Sequence, residues 1–151
     1  MAFVVVYDAN VLYGNAVRDM MIRLRQLIID AVPDCLVEGY QPLMDGLKLP
    51  DKDDRHVLAA AIKANAQVIV TSDLDDFPPE LLAPWDIEAK SPDDFLLDQI
   101  ALDGRIVWAC VQQIADSRNN PPENAEDVLD ALERAGLIEA VAALRDSRSG
   151  C

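Results

Sequence analysis

Two stretches of this 151-residue chain carry a run of β-branched residues into an aspartate: "FVVVYDAN" at 3–10 reaches Asp8, and "VIVTSDLDDF" at 68–77 reaches Asp73. A carboxylate in that position can cap the next helix, sit in a turn, or hold a cation. In open parallel sheets ligands bind beyond the carboxyl ends of the strands, and both acids are expected there. If Asp54, in the first turn of the intervening helix, faces the same edge, three carboxylates converge on one small volume. Anions so close raise one another's pKa unless a cation neutralises them. With hard oxygen donors and no histidine or thiolate set, the natural cation is Mg²⁺ or Mn²⁺.

Each residue also has a plainer reading. Asp8 and Asp73 serve equally well as turn acceptors, and for Asp51, Asp53 and Asp75 capping or a solvated turn is the preferred role. Asn10 suits either the orienting of a carboxylate or the capping of a helix. His56, the one histidine, is left out of the site, because a lone helix histidine more often packs or is solvated than titrates in chemistry. Phosphate-binding G-x-x-x-x-G-K, H-E-x-x-H and complete EF-hand patterns are absent. Cys35, Cys110 and Cys151 are widely spaced without C-x-x-C, so neither a zinc site nor a disulfide framework is expected.

The elements that must position these acids follow from periodicity. Phe3 to Tyr7 predict a strand apolar on both faces, as in a parallel sheet covered by helices. Val17, Met20, Met21, Leu24, Leu27 and Ile28 predict a helix over about 15–31, stopped by Pro33. A short strand at Cys35 to Val37 is followed by "GYQPLMDGLKLP", read as irregular for its prolines and glycines. A helix starts near Pro50, with Val57, Leu58, Ala61 and Ile62 as its apolar stripe, and the strand Val68 to Val70 completes β-α-β. Ser91 and Pro92 open a further helix. After a turn at 119–122, apolar positions on either side of Gly136 predict a helical hairpin. The expected division is a core at 1–98 and a helical extension, packed on it, at 99–151.

The net charge of −14 repels nucleic acid at long range and favours a basic partner or cations. No apolar run approaches the roughly 18 residues that cross a bilayer, and no signal peptide is read before Asp8. A cytoplasmic protein is expected.

"VVVYDANVLY", "LPDKDDRHVLAAAIKANAQVIVTSDLDDFP" and "SPDDFLLD", in that order, resemble PIN-domain proteins, most of all the bacterial branch that includes VapC-type toxin ribonucleases. The resemblance spans roughly residues 2–26 and 32–98, and the helical tail is similar to that branch too. It implies a three-layer α/β/α sandwich with a central parallel sheet and a C-terminal helical hairpin. It further implies an Mg²⁺- or Mn²⁺-dependent endoribonuclease, in which metal-activated water attacks an RNA phosphodiester, together with an antitoxin partner. Asp8, Asp54 and Asp73 match the family's catalytic, metal-binding acids; Asp76 matches a supporting one, and Asn10 joins it in support. A homodimer, or an antitoxin, is expected to cover the apolar faces of the first helix and the hairpin.

One family feature does not carry over. The pattern has a glutamate on a helix between the first and third acids, whereas here only Glu38 lies between Asp8 and Asp54, after an expected strand rather than within a helix. Two expectations follow: a segment missing between about Arg25 and Ile28, at residues 26–27, that carried the acid; or a non-catalytic PIN-fold binding or regulatory protein with an incomplete acidic site.

Overall fold

The computed structural model describes residues 4–12, 14–27, 30–33 and 38–149. The chain forms two compact units, residues 1–12 with 29–91 and residues 13–28 with 92–151.

The first unit holds a four-stranded sheet in the order β2-β1-β3-β4, made of β1 (Val4–Tyr7), β2 (Asp30–Pro33), β3 (Val68–Val70) and β4 (Glu88–Lys90). Every adjacent pair is parallel, which is the PIN-like α/β class that the resemblance implied. Val5, Val6 and Tyr7 of β1 are all buried, as are all three residues of β3, in keeping with strands whose two faces are both apolar. Among the described residues this unit has the helices α2 (Gln41–Met44), α3 (Arg55–Lys63) and α4 (Pro79–Leu82). Val57, Leu58, Ala59 and Ala61 of α3 share one core with Val6, Ile69, Phe77 and Leu82. That core fixes α3 beside β1 and β3.

In the second unit α5 (Pro92–Ser117) packs against α1 (Asn15–Leu27), α6 (Ala125–Arg134) and α7 (Ile138–Ser149). The helix α5 is interrupted at Asp103, whose backbone is non-helical (φ −160°, ψ 91°) and whose Oδ1 accepts the Arg105 N–H. The carboxylate of Asp93 accepts the N–H groups of Glu139 and Ala140 at 3.1 and 2.8 Å, satisfying the start of α7. Gly136, at φ +106°, makes the left-handed turn between α6 and α7 for which glycine carries no Cβ penalty. The expected hairpin is thus present.

Three expectations change. Residues 30–33, read as the end of a helix and its stop, form β2: backbone pairing with β1 from Val4 to Tyr7 overrides the helical spacing of the apolar residues. Pro33 is accommodated because β2 lies at the sheet edge, where a missing donor is tolerated. The stretch read as irregular contains the short α2. The apolar stripes of the first helix and the hairpin are not exposed: Val17, Met20, Met21, Leu24, Val128, Leu129, Leu132, Val141 and Leu144 are buried. The strand expected at Cys35 to Val37 lies outside the described residues, as does Ile28, the far bound of the segment expected to be missing at 26–27; Gln26 and Leu27 end α1. Among the described residues no helix is long and apolar enough to cross a membrane.

Candidate metal centre

The site is built on the parallel register of β1 and β3. Tyr7 stands opposite Val70, and the next N–H, that of Asp8, donates to the Val70 carbonyl at 2.9 Å. Asp8 therefore leaves its strand at the same edge where residues 71–73 leave theirs. The residue is only 7% exposed. Oδ2 accepts from the Thr71 hydroxyl at 2.9 Å, and Oδ1 accepts from the Asn10 backbone N–H at 3.3 Å.

Asn10 joins Asp8 to Asp73. Its amide nitrogen donates to Asp73 Oδ2 at 2.9 Å and approaches Thr71 Oγ1 at 3.3 Å, while its Oδ1 accepts from Ser72 N–H. Thr71 Oγ1 also accepts the Asp73 N–H at 3.1 Å. Thr71, fully buried, is the residue to which the sequence reading gave no role. Its signal was its place in the first turn after a buried strand, two residues before an acid.

The remaining acids meet through two short 3₁₀ turns, Lys52–Asp54 and Leu74–Asp76. Carboxylate oxygens of Asp51, Asp54 and Asp76 lie within 4.8 Å of one another. Asp51 caps its turn, Oδ1 accepting from Asp53 N–H at 2.9 Å, and the Asp54 N–H donates to the Asp51 carbonyl. The Asp76 N–H donates to the Asp73 carbonyl, and the Phe77 N–H to that of Leu74; the buried Phe77 ring anchors this second turn. Burial, then the Asp76 and Asp51 charges, a hydrogen bond with Asp76, and finally Asp8 push the Asp54 carboxyl from 3.8 up to about 6. Every charged neighbour among those causes is an acid, so like charge adds to burial in holding the Asp54 proton.

Five residues were anticipated. Asp8, Asn10 and Asp73 come together through Thr71, and Asp54 and Asp76 come together with Asp51, while Asp73 stands outside that three-acid group. Asp51 had been read as a capping residue; it caps and also joins the acids. Asp53 and Asp75 are exposed and outside the group. His56 Nδ1 lies 2.6 Å from the Asp53 carbonyl, which makes Nδ1 the protonated nitrogen. Of the early basic residues, Arg18 donates to Asn15 and Arg23 to Gln113, both within the second unit.

The donor set is what a hard dication takes: carboxylate oxygens only, mutually repelling, three of them within 4.8 Å of one another. Mg²⁺ or Mn²⁺ fits these residues on their chemistry.

A family model described as the VapC50 C-terminal domain matches residues 92–146. A protein named "Putative ribonuclease VapC50" from Mycobacterium tuberculosis is 44% identical over 94 residues, which are 62% of this chain and 55% of that relative. The match thus spans about half the length of the relative. No solved structure matches the chain. Both matches are similarities to VapC50 over part of the chain, the family model covering less than half of it.

Proposed function

We propose that the chain is an Mg²⁺- or Mn²⁺-dependent endoribonuclease of toxin type. The supporting observation is a pair of acid groupings beyond β1 and β3, Asp8 with Asp73 through Thr71 and Asn10 and Asp54 with Asp76 and Asp51, with Asp8 among the charges that raise Asp54 and no base among them. Ribonuclease is also the activity in the printed name of the relative. In this reading Asp8, Asp54 and Asp73 hold the cation, and Asp76 and Asn10 support them. When bound, the cation offsets negative charge developing on the phosphodiester and acidifies the attacking water.

The chain's own residues do the positioning. Thr71 and the Asn10 N–H fix both oxygens of Asp8, and the Asn10 amide fixes Asp73. Two fixed carboxylates on adjacent strand ends lose little rotamer freedom on binding. Asp54, protonated up to about pH 6 in the metal-free chain, gives up its proton as the cation arrives.

The substrate of this reading is RNA and its compartment the cytoplasm. The partner is an antitoxin whose basic segment offsets the −14 charge. Incubation of an RNA pool with Mg²⁺, with Mn²⁺ and with chelator tests the activity. Cleavage that requires metal and is lost in Asp54→Asn is the expected result. Metal-independent cleavage overturns the mechanism. Absence of both cleavage and metal binding favours the non-catalytic alternative, a PIN-fold binding protein with an incomplete site.

A further inference from the structure

We propose that the open edge of β4 and the apolar groove beside it receive an extended, basic segment of a partner protein, in which apolar residues alternate with lysine or arginine. The inference concerns a surface of the first unit and does not depend on the cation reading above.

Among the described residues β4 is the last strand of the sheet. Its pairing with β3 uses the Glu88 N–H, which donates to the Gln67 carbonyl, and the Lys90 carbonyl, which accepts from the Thr71 N–H. In a parallel ladder the residue between two such bonded residues turns its N–H and C=O the other way, so those of Ala89 face away from β3. A strand laid against β4 pairs with them. Beside that edge lies a groove of about 400 Å³, lined by Leu74, Phe77, Pro79, Leu82, Ile87 and Ala89. Phe77, Leu82 and Ile87 belong to the buried core, whereas Leu74 is 40% exposed and leaves an apolar side chain in water.

The chemistry of the occupant follows from the strand period and the charge. Ile87 and Ala89 pack on the core side of β4, which puts Glu88 on the other face. A segment paired with β4 therefore offers every second residue to the groove, and those residues are apolar. From Ala64 to Ala89 the sequence holds six acids and no lysine, arginine or histidine. Glu80, Asp86 and Glu88 are exposed, and each lines the groove or adjoins a residue that does. Such a rim attracts a basic segment and repels a second copy of the same edge.

Amide NMR of the whole chain, titrated with a peptide of about eight residues that alternates valine and lysine, is the measurement. One control peptide has the same composition with its valines and lysines in separate blocks; the other alternates but has every amide N-methylated. Shifts centred on the Ala89 amide region are expected with the alternating peptide, and affinity lower by about tenfold or more for both controls. Ala89→Pro removes the outward N–H and none that β3 uses, which an edge strand tolerates, and should weaken binding by a similar factor. Glu88→Lys, at an exposed position, should weaken it severalfold. Absence of binding, equal affinity for the alternating and blocked peptides, or full affinity in Ala89→Pro overturns the proposal. Should Ala89→Pro not fold, full affinity of the N-methylated peptide for the wild-type chain overturns it instead. Light scattering that shows a wild-type dimer and an Ala89→Pro monomer overturns it in favour of a second copy on this edge.

Discussion

The Thr71 hydroxyl donates to Asp8 Oδ2 at 2.9 Å across 63 positions of sequence, and both residues are buried. The bond is a consequence of register: Asp8 and Thr71 each follow the last residue of a parallel strand, and those last residues are partners. Replacing Thr71 with valine keeps the volume and leaves a buried carboxylate short of a donor. Thr71→Val is expected to cost about 1–3 kcal/mol, and Thr71→Ser, which restores the hydroxyl, considerably less. Urea unfolding of the metal-free chain measures both. Equal stability of Thr71→Val and wild type would show that the bond contributes nothing.

Asp54 makes the metal-free chain sensitive to pH. Folded, it keeps its proton up to about pH 6; its ordinary value is 3.8. Between those values the folded chain binds more protons than the unfolded one, so this group's contribution to stability falls as pH rises through the interval. Melting temperature followed from pH 4 to pH 7 should therefore decline less steeply in Asp54→Asn, whose amide stands in for the protonated acid. Partial exposure screens the effect, so the change in slope, rather than its absolute size, is the quantity to read.

How much of this was legible beforehand differs by element. Strands β1 and β3 announced themselves because both are β-branched and buried on both faces, and the 3.6-residue spacing of Val57, Leu58 and Ala61 gave α3 without ambiguity. The strand β2 was hidden: Leu24, Leu27 and Ile28 continue a helical spacing, and only pairing with β1, a long-range fact, makes 30–33 extended. In the site, Asp8 and Asp73 were visible as acids ending strands. Asp51 was masked by its success as a cap, since a residue that satisfies a local backbone donor gives no sign that its carboxylate also lies near Asp54 of its own turn and Asp76 of another. Thr71 was visible in the quoted motif, but its hydroxyl acquires a role only when β3 lies beside β1.

The second unit carries an electrostatic clamp that salt should reveal. Arg145 on α7 donates to Glu126, Asp130 and Glu133 of α6 at 3.3, 2.7 and 2.9 Å. Those acids lie on one face of α6, at spacings that repel when unpaired. Arg145→Met keeps much of the stem's packing and removes the charge, so a lower melting temperature is expected at low ionic strength. In roughly 1 M NaCl, where the screening length is about 3 Å, the difference from wild type should shrink. A deficit independent of salt would assign the loss to packing instead.

Asp76 and Asp73 sit three residues apart on one turn, yet the structure gives them different neighbours. Asp76 lies in the acid group and shares a hydrogen bond with Asp54, whereas Asp73 is held by the Asn10 amide. Asp76→Asn removes one of the charges that raise Asp54, so the Asp54 titration, followed by carboxyl NMR in the metal-free chain, should move down from about 6 toward 3.8. In Asp73→Asn it should stay near its wild-type position, because Asp73 is not among the causes of the shift. Both variants are expected to lose metal-dependent RNA cleavage by roughly 100-fold, without loss of metal-free melting temperature. A titration that moves equally in the two variants would mean that Asp54 responds to the summed charge of the edge and not to the carboxylate beside it.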